Sequence, residues 1–183
     1  MTTDRDRTLF LQIARDAITA HVTGGRHSAV GGPRPAEETV LSDRRGGVFV
    51  TIHHRGELRG CIGHIEADDA LPRLIAKCAV AACSTDPRFP PVGPAELSDL
   101  KIELSLLGPL EPLAGPADIE VGRHGLVVEM GRQRGLLLPQ VATEWHWDAV
   151  TFLSQTCRKA GLPADSWQRG ATLWRFDADV FSE

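Results

Sequence analysis

Apolar positions recur along this chain with two different periods, and the change of period marks its elements. In residues 4 to 21, Leu9, Phe10, Ile13, Ala14 and Ala17 fall at helical spacing, and Gly24-Gly25 ends the run. An amphipathic helix is predicted there. Residues 24 to 35 mix glycine, proline, histidine and arginine without any period and read as a mobile loop. Residues 47 to 54 are rich in β-branched side chains, and Arg55-Gly56 separates them from the run at 58 to 63, so a β-hairpin is expected. The helical period then returns. Leu71, Leu74, Ile75, Cys78, Ala79 and Ala82 share one face of a helix that Asp68 or Asp69 is placed to cap and Asp86-Pro87 to end. Residues 101 to 107 alternate, with Ile102, Leu104 and Leu106 on one side of a third strand.

The second half repeats that order. Strands are predicted at 125 to 130 and 136 to 141 around a turn at 131 to 135. A helix capped by Asp148 follows, with Leu153, Cys157 and Ala160 on its buried stripe and Gly161 at its end, and residues 173 to 176 supply a last strand. Tight turns between consecutive strands, interrupted by helices, predict an α+β fold with a mostly antiparallel sheet and flanking helices. The repeated order of hairpin, helix and strand suggests an internal duplication, carried by element order rather than by matching residues.

Composition narrows the function classes. A chain of 183 residues, 42% hydrophobic and 24% charged, has the make-up of one globular domain, residues 1 to 183, able to hold its own core. A net charge of -4 with scattered basic residues offers no footprint for a phosphate backbone, so nucleic acid is not an expected partner. No apolar run approaches the ~20 residues that cross a bilayer, and residues 1 to 6 are polar, so no membrane partner and a cytoplasmic location are expected. The four cysteines, Cys61, Cys78, Cys83 and Cys157, stand in unlike contexts and predict free thiols rather than a disulfide framework.

Five runs carry a resemblance: Leu58-Arg59-Gly60-Cys61-Ile62-Gly63, Asp86-Pro87-Arg88-Phe89-Pro90-Pro91, Gly122-Arg123-His124-Gly125-Leu126, Leu138-Pro139-Gln140-Val141 and Cys157-Arg158-Lys159-Ala160-Gly161-Leu162. In that order they make the chain resemble the AMMECR domain family, known in prokaryotes as AmmeMemoRadiSam system protein A, over residues 9 to 181. The resemblance implies an α+β fold with a larger and a smaller lobe and a cavity lined by the Leu-Arg-Gly-Cys-Ile-Gly signature. It also implies a setting beside a Memo-type protein and a radical S-adenosylmethionine protein. It implies no established reaction and no cofactor.

On an extended segment Arg59 and Cys61 point the same way, while Gly60 leaves the opposite position bare. A guanidinium ~4.5 Å from a sulfur, at an effective dielectric of ~20, favours the reactive anion by roughly 3 to 4 kcal/mol before desolvation opposes it. Cys61 is therefore the candidate nucleophile and Arg59 its activator, with His64 or His124 as proton carrier. The bland alternative makes Cys61 a small core residue and pairs Arg59 with a surface carboxylate. Cys61 and His64 also have the C-x-x-H form of half a metal site. No second pair stands at matching spacing, so no metal is expected, and His53 or His54 is the alternative base from the facing strand. Gly60, Arg88 and Gln140 are the candidate substrate-binding residues for a small-molecule ligand. Arg88 carries a fork that suits an anion, or instead clamps Asp86 in a turn, and Gln140 follows Pro139 on an expected strand. All four tryptophans lie in the C-terminal third, where they serve packing or a partner surface.

Overall fold

The computed structural model describes residues 2–25 and 46–183, so most of the loop expected at 24 to 35 lies outside the described residues. The chain forms two compact units, residues 1–106 with 179–183 and residues 107–178.

In the first unit, helix α1 (Asp4–Val22) begins at Thr3, whose hydroxyl accepts from the Asp6 amide while Asp6 accepts from the Thr3 amide, a reciprocal cap. Its apolar face buries Phe10, Ala14, Ala17 and Ile18. Strands β1 (Val48–His54) and β2 (Glu57–His64) pair antiparallel across Arg55 and Gly56. Both turn residues have positive φ, 53° and 86°, the conformation that matches the twist of a two-residue hairpin. Asp99 holds Arg55 by an ion pair of 2.9 Å. Helix α2 (Leu71–Ser84) and strand β3 (Leu100–Leu107) complete the order β2-β1-β3, all antiparallel. Neither Asp68 nor Asp69 caps α2. Its N-cap is Ala70, with Pro72 in the first turn, and Asp69 bonds Lys77 instead. Proline supplies the start by its fixed φ and missing N–H.

Val48, Val50 and Ile52 of β1 and Ile102 and Leu104 of β3 point to one side and are fully buried with Phe10, Ile18 and Ile75. Each such side chain contributes roughly 1.5–3 kcal/mol, so α1 and α2 owe their place to this face. Residues 179–183 belong to the same unit. Phe181 packs on the core, and Glu183 accepts from the Ile102 amide at 3.2 Å and pairs with Arg15.

In the second unit, β4 (Glu111–Pro112), β5 (His124–Met130), β6 (Gln133–Leu137) and the part of β7 (Thr172–Ser182) up to residue 178 pair in the order β4-β7-β5-β6. Helix α4 (Ala149–Lys159), capped by Asp148 through the Thr151 amide, lays Phe152, Leu153 and Cys157 on this sheet. The expected strand through Val141 stops at Leu137. Leu138 is extended with ψ 157°, and Pro139 opens a short helix α3 (Pro139–Glu144) that buries Ala142. A proline with no N–H to give a ladder fits the first helical turn better than a strand interior. The structure is thus α+β with antiparallel pairing. Each unit runs hairpin, helix, strand, with the first hairpin strand in the middle of its three.

Candidate functional site

Sheet register decides what each signature residue faces. Gly60 lies opposite Ile52 on the core side, and a Cβ there would stand 2.2 Å from the Ala82 carbonyl of α2. Only glycine lets strand and helix approach that closely. Cys61 lies opposite Thr51 on the other face. The Cys61 amide points away from β1, to Asp86 at 2.8 Å, which makes Cys61 and Thr51 a non-hydrogen-bonded pair with close side chains. The Thr51 hydroxyl accordingly donates to Cys61 Sγ at 3.4 Å.

The register slips between Ile52 and His53, which pair with Gly60 and Leu58, so Arg59 is the extra residue of a β-bulge. A bulge re-aims its side chain. Arg59 donates to both oxygens of Glu96, at 2.8 and 3.2 Å, and to the carbonyls of Pro90 and Pro91, at 2.8 and 3.2 Å. Its guanidinium thus fastens the segment that follows α2, and the hydrogen bonds from Arg59 hold the Glu96 carboxyl below the usual range.

The cation bonded to Cys61 is Arg88, through the backbone. Asp86, 4% exposed, accepts from the Cys61 amide and from the Arg88 amide, Nε and Nη2, the last at 2.7 Å. These bonds, Arg88's side chain first, keep the Asp86 carboxyl far below the usual carboxylate range. Arg88 Nη2 also reaches the Cys61 carbonyl at 3.3 Å. Together Asp86 and Arg88 satisfy both outward backbone groups of Cys61 on an edge strand, where unpaired groups would otherwise stand open. Arg88 is raised above its ordinary value chiefly by its hydrogen bonds to Asp86. Of the two readings weighed for Arg88, the turn clamp on Asp86 is the one these bonds form.

The other thiols are buried. Burial pushes Cys78 and Cys83 up to about 11 and raises Cys157, whereas Cys61 is half-buried. His64 is exposed at the end of β2, and the cross-strand neighbour of Cys61 is Thr51 rather than a histidine. His54 lies 3.9 Å from Asp99. Among the described residues no group of three or more His, Cys, Asp and Glu side chains gathers as a metal site, and no helix is long and apolar enough to cross a membrane.

His124 and Gln140 belong to the second unit. Gln140 sits on helix α3, a correction to the strand position expected for it, and its buried side-chain oxygen has no hydrogen-bond partner among the described residues. His124 opens β5 and is buried, its Nδ1 accepting from the Glu120 amide at 2.9 Å. The sequence pairs the thiol with Arg59 and shows the Asp86–Arg88 clamp, but neither Thr51 nor the bond from the Cys61 amide to Asp86 was read from it. The signal for Asp86 was its place two residues before Arg88 at a helix end. Nothing in the pattern marked Thr51.

An α+β protein with an Arg-Gly-Cys edge strand held by an Asp-Pro-Arg loop is what these residues define. The AMMECR1 family model matches residues 11–181, and the chain belongs to that family, whose function is uncharacterised. It is 49% identical over 187 residues to a protein of Methanothermobacter thermautotrophicus, covering 98% of this chain and 95% of the relative. It is 45% identical over 186 residues to a protein of Thermococcus gammatolerans, covering 94% and 88%. The crystal structure of the uncharacterized protein PH0010 from Pyrococcus horikoshii is similar to it with a TM-score of 0.88 at 37% identity, covering 100% of this chain and 93% of that one.

Proposed function

We propose that the protein is a cytoplasmic, thiol-dependent enzyme or substrate-binding component that acts with Memo-type and radical S-adenosylmethionine proteins, with Cys61 as its reacting group. The observation that carries this reading is the surroundings of one residue: the Thr51 hydroxyl donates to the Cys61 sulfur at 3.4 Å, and the Arg88 guanidinium donates to the Cys61 carbonyl at 3.3 Å. A half-buried sulfur is open to a reagent or substrate, while dry burial makes a thiol inert. Arg88 takes the activating role first assigned to Arg59, and its half-exposed fork can meet an anionic group of a substrate. Arg59 and Gly60 hold the strand that presents the sulfur.

The test is alkylation of the folded protein with iodoacetamide at neutral pH, followed by intact mass and peptide mapping. Cys61 is expected to label first, and Arg88→Ala to slow that labelling severalfold while Arg88→Lys restores part of it. Labelling of all four cysteines at one rate, or an Arg88→Ala protein that reacts at the parental rate, would remove Cys61 as the reacting group.

A second reading, a non-catalytic adaptor for the same partners, draws on Trp145. That ring is 67% exposed and stacks on Trp147 at 6.1 Å. Exposed tryptophan is over-represented among interface anchors. Under this reading Trp145→Ala weakens pull-down of a Memo-type protein and Cys61→Ser leaves it intact; the reverse pattern favours the thiol.

A further inference from the structure

The second unit holds a polar hollow of its own, with no part in the chemistry assigned to Cys61. A cavity of about 410 Å³ opens between β4, the turn at residues 116–118, the start of β5 and β7, and His124 lines it. That volume lies within the roughly 300–1,000 Å³ of small-molecule sites. His124 is 8% exposed, and because its Nδ1 accepts from the Glu120 amide at 2.9 Å, the proton of the neutral ring is assigned to Nε2. Nε2 stands 3.9 Å from Asp177 Oδ1, beyond hydrogen-bond reach, and among the described residues it has no acceptor. Nε2 is not sealed from solvent and faces the cavity, where a ligand acceptor can take the place of water.

The charges around it define the other half of the ligand. Arg175 spends Nε and Nη2 on Glu111, at 3.2 Å each, and Nη1 on the Asp118 carbonyl at 2.8 Å. Arg123 spends Nε on Asp177 and Nη1 on Glu120, both at 3.1 Å. The lining thus holds four carboxylates, of Glu111, Asp118, Glu120 and Asp177, against two guanidinium groups already paired. The Asp118 side chain has no ion pair among the described residues, and it is exposed. A net negative wall repels an anion and attracts an ammonium group.

The geometry points to a binding site for a small amine that also carries a hydrogen-bond acceptor, an amino-acid-like zwitterion. Its ammonium group lies against Asp118 and the Asp177 oxygen that Arg123 leaves free, and its acceptor accepts a hydrogen bond from His124 Nε2. Recognition needs both ends at once. An amine without an acceptor leaves the histidine unpaired, and an acceptor without an amine meets only like charge.

Three probes of one chain length separate the terms: 5-aminopentanoate, cadaverine and glutarate. Each is titrated into the full-length protein while the His124 imidazole resonances are followed by nitrogen-15 NMR. The expected order is 5-aminopentanoate, then cadaverine, then glutarate, with a saturable shift of Nε2 for the first alone. Asp118→Asn, an exposed and fold-neutral change, is expected to weaken the amine probes about tenfold, as loss of a charged hydrogen bond does. Glutarate binding best, no saturable shift with any probe, or amine binding untouched by Asp118→Asn would each overturn the site.

Discussion

Each unit sets an Arg-Gly pair on the second strand of a hairpin, Arg59-Gly60 on β2 and Arg134-Gly135 on β6, and the two pairs differ in instructive ways. The glycines are alike. Gly60 faces Ile52 and would drive a Cβ into the Ala82 carbonyl, and Gly135 faces Val128 and would drive one to 2.4 Å from the Ala160 amide. The arginines are not. Arg134 keeps a regular register opposite Glu129, pairs with it at 3.4 Å and lies over the Trp174 ring, whereas the bulge at Arg59 turns its side chain into a cage of four acceptors. Cys61 follows one pair and Leu136 the other. The glycine is thus a demand of packing a hairpin on a helix, the arginine is set by what surrounds it, and the thiol is where the two strands part company.

The largest effect that would sharpen this contrast is expected from Gly60→Ala, whose new methyl meets helix backbone rather than a flexible side chain. A loss of about 3 kcal/mol or more is expected by urea denaturation, at the upper end of what overpacking costs, and Gly135→Ala should lose a comparable amount. A near-neutral Gly60→Ala would break the packing account. Next comes Arg59→Met, which leaves Glu96 with only the Gly93 amide and takes the side-chain donor from two carbonyls; roughly 2–3 kcal/mol should be lost.

The carboxylates predict a smaller, pH-borne effect. Asp86 and Glu96 are both depressed in the folded state, first by the hydrogen bonds of Arg88 and Arg59 respectively. The unfolded chain therefore takes up protons before the folded one as pH falls. The stability from both pairs is complete above the ordinary carboxylate range, about 4, and drains away below it. Thermal melts across the acid range should show that decline in the parent and a shallower one in Arg59→Met. Arg134→Ala stands last, with less than about 1 kcal/mol expected for an exposed pair. A loss matching that of Arg59→Met would erase the contrast between the two strands.

Much of this architecture was legible in the pattern of residues. Apolar runs parted by turn residues marked both hairpins, alternation marked β3, and the helical stripes of α1, α2 and α4 were readable, with Asp148 and Gly161 at the ends of the last. The run at 138 to 141 was not, because three leucines before a proline look the same as a strand end and as a helix start. Only tertiary packing of Ala142 decides between them. The site was legible in its residues and not in its partnerships. A one-residue bulge sends Arg59 to Glu96, 37 positions away, and no periodicity announces a bulge. The cavity beside His124 is assembled from segments near 111, 118, 124 and 176, and its shape exists only after the strands have paired.

Residues 179–183 are integral to a body otherwise built from residues before 107, with Asp179 paired to Arg7 at 2.7 Å and Glu183 to Arg15. During synthesis that body stays open-ended while some seventy intervening residues emerge, so its first helix and sheet wait, partly clothed, for a late arrival. A ribosome stalled in the second unit would release a nascent chain whose earlier half lacks its own clasp, and chaperone demand should fall on that interval.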